Sequence, residues 1–234
     1  MDIYREIKVY TTAPFISELD RLQYLVSLCE GKSVLHVGCA DAPIASDRIA
    51  TGCLLHQRIE KVAKETLGID IDDESIQLLR EHGITSVCTM NAENMNLDRR
   101  YDVVLAGDVL EHMSNPGLFL QQVPNLLSTG GELIIAVPSA FTFNNIRVWL
   151  KKKESVHKDH CFYFSPKCLA QLCERYSLFP TKLAYTVQPQ AVGESKTYCR
   201  IRNTIVRFFP TTAPAIIMHF KQKSDIDHEN YRVL

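Results

Sequence analysis

An apolar run that stops abruptly on small residues constrains this chain more than any other stretch of it. Ser33-Val34-Leu35-His36-Val37 reads as a buried strand, and Gly38-Cys39-Ala40-Asp41-Ala42 follows it without a bulky side chain. Such a turn at the carboxyl end of a parallel strand lets a ligand approach the backbone, because glycine and alanine leave almost nothing in the way. A second apolar run, Leu67-Gly68-Ile69-Asp70-Ile71-Asp72, ends in acid. A carboxylate there is placed to accept hydrogen bonds from ribose hydroxyls, so the two runs in this order point to a nucleoside cofactor. Either alone also fits an ordinary tight connection between a strand and a helix.

The rest of the chain keeps alternating between the two hydrophobic periods. Phe15 to Glu30 has apolar residues at helical spacing, and Gly31 stops it. Pro43 to Thr66 reads as mostly helical with a break at Thr51-Gly52, and Asp73 is expected to cap a short helix through Leu79. Further strands are expected at Val87–Met90, 101–106, 132–137, Lys182–Val187 and Ala215–Phe220, with helices at Pro116–Leu127 and Pro166–Tyr176 and a short one near Arg202–Phe208. Helices alternating with strands imply an α/β fold around a doubly wound, mainly parallel sheet. One domain is expected over 1–234, with an N-terminal helix at about 1–30 and a substrate-facing insertion at about 139–165.

A formal net charge of -1 argues against non-specific binding to nucleic acid or membrane, although local patches remain open. No apolar run reaches spanning length, and the first residues lack the apolar core of a signal peptide, so a cytoplasmic protein is expected. The eight cysteines contain no Cys-x-x-Cys pair and read as reduced core residues.

Val34-Leu35-His36-Val37-Gly38-Cys39-Ala40, Gly68-Ile69-Asp70, Asn91-Ala92-Glu93-Asn94, Tyr101-Asp102-Val103-Val104, Val109-Leu110-Glu111-His112 and the run from Leu126 to Leu133 are similar, in order, to the motifs of class I S-adenosylmethionine-dependent methyltransferases. The resemblance implies a Rossmann-like, seven-stranded sheet with an antiparallel last strand and S-adenosylmethionine as cofactor. It implies that Gly38, Cys39 and Ala40 line the methionine part, Asp70 the ribose, Ile71, Asn91 and Ala92 the adenine, and Asp108 the methionine near the substrate entrance. Two departures stand out: His36 replaces the usual acid, and Ala40 and Ala42 replace glycines. A dinucleotide-dependent oxidoreductase fits less well, since its fingerprint wants three glycines and an acid about 20 residues on.

Methyl transfer needs an aligned nucleophile and, for a hydroxyl or ammonium, a proton acceptor. His112, beside Glu111 after the fourth strand, and His160, in the expected lid, are the candidates, with Glu111 as their companion. Each histidine would equally serve as a local structural partner. If the segment were helical, Asp108, Glu111 and His112 would share a face, and His160 could complete a divalent metal site. A similar pattern occurs in metal-assisted O-methyltransferases, but the short motif is also common where no metal acts, and no metal is expected here. Lys151-Lys152-Lys153 reads as a solvated helix end and Trp149 as core or lid packing. The expected reaction is methyl transfer to a small-molecule acceptor, a hydroxyl of a sugar or secondary metabolite. A modified peptide, an RNA end, or a non-catalytic cofactor-fold binding protein are the alternatives.

Overall fold

A computed structural model describes residues 15–16, 18–42, 44–187 and 195–226. The start of the expected N-terminal helix and the expected helix start at Pro43 lie outside the described residues. The elements run β1 (Phe15–Ile16), α1 (Glu18–Ser27), β2 (Ser33–Val37), α2 (Ala45–Ala50), α3 (Leu55–Ile59), β3 (Glu65–Asp70), α4 (Asp73–Glu81), β4 (Val87–Thr89), β5 (Tyr101–Gly107), α5 (Pro116–Leu126), β6 (Leu127–Pro138), α6 (Phe143–Leu150), α7 (Pro166–Glu174), β7 (Leu178–Thr186), α8 (Lys196–Phe208) and β8 (Ala215–Gln222).

The strands form one sheet in the order β1-β7-β8-β6-β5-β2-β3-β4. Strand β8 is antiparallel to both of its neighbours, and every other pair is parallel. Strands β2 to β8 are the expected seven-stranded sheet, and β1 adds a two-residue edge alongside β7. Strand β2 lies between β3 and β5, the point where strand order reverses and where ligands gather in doubly wound sheets.

Strand alternation explains the two-sided core. Leu35 and Val37 of β2 and Leu133, Ile135 and Val137 of β6 pack on one face with Phe119, Leu120 and Val123 of α5 and Leu169 and Cys173 of α7. Val34, Ile134 and Ala136 point the other way, to Leu25 of α1 and Ile59 of α3. His36 joins neither the solvent nor the cofactor turn. It is 2% exposed and its Nδ1 lies 3.2 Å from Nδ1 of His56 on α3. The departure at 36 is therefore a core pairing, and Gly68 makes room for it, since a Cβ there would lie 2.7 Å from both Cys39 Sγ and the His56 ring.

Several boundaries differ from the sequence reading. The Asp72 carboxylate, rather than that of Asp73, caps α4 by accepting from the backbone N–H groups of Glu74 and Ser75. Strand β6 begins directly at Leu127, because the Gly130-Gly131 turn continues the strand instead of preceding it. Helix α8 starts at Lys196 under a Ser195 cap, longer than its apolar residues suggested. Only Cys29, Cys39 and Cys173 are buried, whereas Cys161 and Cys168 are exposed, which corrects the reading of all eight as core. Among the described residues no helix is long and apolar enough to cross a membrane.

Candidate active site

The carboxyl ends of β2, β3, β4 and β5 bring the cofactor candidates to one edge of the sheet. Gly38 has φ 75°, and a Cβ at that position would lie 3.1 Å from Cβ of Val109. The turn therefore needs glycine for both conformation and space. Cys39 and Ala40 are buried beneath the turn. The Ala40 N–H donates to Asp70 Oδ2 at 3.0 Å and the Asp72 N–H to Oδ1 at 3.1 Å. These bonds lock the carboxylate at the end of β3 while each oxygen keeps a lone pair for a further donor. Ile71 is 70% exposed beside it, an apolar surface open to a flat ring. Asn91 caps the turn 92–94 by accepting from the Glu93 N–H, and the Ala92 carbonyl accepts from Gln122. A glycine cradle with an oriented carboxylate fits the nucleoside and methionine parts of S-adenosylmethionine.

Asp108 stands directly after the last residue of β5. Its φ of 51° breaks the chain direction after β5, so it does not share a helical face with Glu111 and His112. Only a single tight turn covers Leu110–His112. The Asp108 carboxylate instead accepts from Arg21 of α1 at 2.6 Å, an ion pair across the cleft mouth that the sequence did not signal.

Glu111, His112 and His160 do come together, each with a potential ligand atom within 4.8 Å of the others. The loop carrying His160 is docked by its backbone, the Cys161 N–H donating to the Glu111 carbonyl at 2.7 Å. The His112 and His160 rings meet edge to face at 4.6 Å, and His157 lies 4.8 Å from His160. His112 Nδ1 is 3.1 Å from the Asp159 carbonyl. A carbonyl can only accept, so Nδ1 carries the proton and Nε2 keeps its lone pair. Glu111 is 1% exposed, and neither carboxylate oxygen has a protein partner. Burial first, and then the nearby Asp108 charge, push its carboxyl up to about 8. Burial also lowers the pKa of His160, as do its two histidine neighbours.

His160 forms part of the wall of a cavity of about 240 Å³ between α6, the 160–163 loop and α8. Asn144, Asn145, Tyr163, Tyr198 and Arg202 also line it. None of these five was singled out from sequence, because loop and helix residues so far apart give no periodic signal. The 139–165 segment supplies Thr142, Phe143, Asn144, Asn145, His160 and Tyr163 to this wall.

A family model described as a methyltransferase domain matches residues 13–180. A ubiquinone biosynthesis O-methyltransferase of Shewanella halifaxensis is 28% identical over 68% of this chain and 70% of its own length. One from Bordetella avium is 24% identical over 53% of this chain, and the match spans about half, 52%, of that relative. Among solved structures, a possible histamine N-methyltransferase of Thermotoga maritima superposes with a TM-score of 0.61 at 18% identity, covering 88% of this chain and 89% of the other. The N-methyltransferase NodS of Bradyrhizobium japonicum, solved with S-adenosyl-L-homocysteine, gives 0.54 at 15% identity, covering 91% and 90%.

Proposed function

The chain belongs to the methyltransferase-domain family of class I S-adenosylmethionine-dependent enzymes, and from that premise we propose that it methylates a hydroxyl oxygen of a small acceptor seated in the cavity beside His160. The observation that carries this reading is the convergence of Glu111, His112 and His160, the last of which lines that cavity. S-adenosylmethionine, when bound, supplies a methyl group already activated by its sulfonium. The protein's own work is alignment and proton removal. Gly38 and Asp70 hold the cofactor's two ends. His112, anchored on the Asp159 carbonyl, would take the hydroxyl proton on Nε2, while the bound cofactor would supply the methyl group to that oxygen, its S–CH3 bond breaking with the electron pair left on the sulfur of S-adenosylhomocysteine. Glu111, kept protonated at neutral pH by burial, presents a hydrogen-bonding group to the imidazoles without adding a charge. Relatives named as O-methyltransferases support oxygen over nitrogen. A sugar or similar hydroxylated metabolite fits the amides and phenols of the cavity wall.

His112→Ala and His160→Ala are each expected to lower turnover by about 10²–10⁴-fold while S-adenosylhomocysteine binding stays at the parent level. A panel of hydroxylated acceptors with labelled cofactor reads this directly. Parent turnover in both variants overturns the base assignment.

A second reading is favoured by one observation, the two unpartnered oxygens of a buried carboxylate facing two imidazoles. One carboxylate and two histidines would suit manganese, iron or zinc better than magnesium. Glu111, His112 and His160 would then hold a cation that polarises the acceptor hydroxyl. Dialysis against a chelator separates the two. A rate lost with the chelator, restored by manganese, and lost in Glu111→Gln with cofactor binding intact decides for the metal. A rate retained decides for the acid–base set.

A further inference from the structure

Helix α6 buries none of its eight residues, although five of them are Phe143, Ile146, Val148, Trp149 and Leu150. Trp149 is 74% exposed and Leu150 70%, which overturns the reading of Trp149 as packing. Helix α8 lies against α6: the Arg147 guanidinium sits 5.1 Å over the Tyr198 ring, and the Phe143 and Tyr198 rings are 6.3 Å apart. The exposed side of α8 and its end repeats the pattern, with Ile201 at 50%, Phe208 at 73% and Phe209 at 64%. With Ile146, 41% exposed, these make six side chains on two touching helices and the end of one, half of the exposed large hydrophobic residues among those described.

The charge around them is one-sided. Phe143 to Lys153 carries Arg147, Lys151, Lys152 and Lys153, and α8 carries Lys196, Arg200, Arg202 and Arg207, with no Asp or Glu in either stretch. The whole chain is nearly neutral, at -1, so this is a local concentration of cations. Seven of the eight are exposed, whereas Arg202 is buried and lines the cavity. At the end of α6 the Lys152 N–H donates to the Trp149 carbonyl and the Lys153 N–H to that of Val148, which wraps the lysine run back against the exposed Trp149 turn.

We propose that the outer face of α6 and α8 docks on an anionic lipid surface. Aromatic and aliphatic side chains flanked by lysine and arginine suit the boundary between acyl chains and acidic headgroups. Tryptophan is enriched at that depth. A protein interface would be expected to lack lysine at its centre, whereas here three lysines adjoin the most exposed apolar residue. The aliphatic Ile146, Leu150 and Ile201 offer little to nucleic-acid bases or phosphates. The inner ends of the same two helices, at Asn144, Asn145 and Tyr198, line the acceptor cavity, so docking brings that cavity beside the membrane interface.

Trp149 is the only tryptophan in the chain, which makes it a built-in reporter. The full chain should float with vesicles of phosphatidylcholine and phosphatidylglycerol in equal parts, and not with phosphatidylcholine alone. Trp149 emission should shift to the blue on the mixed vesicles, be quenched by brominated acyl chains, and lose both effects at high salt. Reversing the run with Lys151→Glu, Lys152→Glu and Lys153→Glu should lower partition roughly 100-fold. Phe208→Ser with Phe209→Ser should also weaken it. Both variants should bind S-adenosylhomocysteine like the parent, which shows that they are folded. No flotation with anionic vesicles overturns the proposal, as does undiminished flotation of the charge-reversed chain. A blue shift that instead follows protein concentration without lipid, or needs an oligonucleotide, assigns the face to a second copy or to nucleic acid and overturns it equally.

Discussion

Gly38 has two independent reasons to be glycine, its left-handed backbone and the Val109 side chain 3.1 Å from where a Cβ would stand. Gly38→Ala should therefore cost about 1–2 kcal/mol of stability from the backbone conformation alone. It should also displace the turn from the cofactor, so that calorimetry with S-adenosylhomocysteine shows weaker binding than denaturation midpoints would suggest. Asp70→Ala should weaken that binding by about 1.5–3 kcal/mol, because a charged acceptor of hydroxyl donors is lost along with the bonds from Ala40 and Asp72 that shape the turn. Unchanged calorimetric affinity in Asp70→Ala would remove Asp70 from the cofactor site. Both positions were legible in sequence, since a small-residue turn and an acid at a strand end are local patterns. The environment of Glu111 was not. Its spacing to His112 is local, but its burial and the loss of Asp108 to Arg21 come from elements far away in the chain.

At the scale of elements, two buried contacts set the acid sensitivity of the fold. His36 of β2 and His56 of α3 are both held below the usual histidine range by burial, His36 also by its partner. The unfolded chain protonates them near 6.5, and the folded one resists, so unfolding takes up protons and stability falls as pH drops below about 6.5. Burial would raise the Glu132 carboxyl of β6, but the His219 hydrogen bond from β8 and Lys32 hold it down at about 2. Its contribution is present above the unfolded value of about 4.3 and is lost as pH falls towards 2. Urea midpoints should therefore decline in two stages on acidification, and His56→Gln should flatten the first stage alone. A slope between pH 6.5 and 5 that survives the combined His36→Gln and His56→Gln exchange rules the pair out as its source. Packing between elements makes a second prediction. A methyl at Gly117 of α5 would collide with the Tyr176 hydroxyl after α7, so Gly117→Ala should cost about 1–3 kcal/mol in the same assay. Strands β2 to β8 and helices α1, α4, α5 and α7 followed from hydrophobic period, whereas α6, an exposed helix rich in apolar residues, lacked the two-sided pattern that marks a helix on a core.

For the whole molecule, one sheet runs unbroken from β1 to β4, and the cofactor edge and acceptor cavity both stand on it. Ligand binding at that edge should stabilise the fold as a unit. At a hundredfold excess of S-adenosylhomocysteine over its Kd, the unfolding free energy should rise by about 2.7 kcal/mol in one cooperative transition. Two separately shifting transitions would divide the chain into more than the single domain we propose.

The succession of strands and helices along the chain and the mainly parallel sheet were determined by the sequence alone, because each element rests on a short run whose hydrophobic period carries the information, and the ordered motifs implied the cofactor by resemblance. The tertiary structure decided what long-range placement controls. It paired His36 with His56, drew Asp108 to Arg21, set His160 beside His112 through a loop docked on the Glu111 carbonyl, and left α6 and α8 uncovered beside the acceptor cavity. Burial and charge at those places arise from residues distant in the chain, and no local pattern encodes a contact whose partner lies on another element.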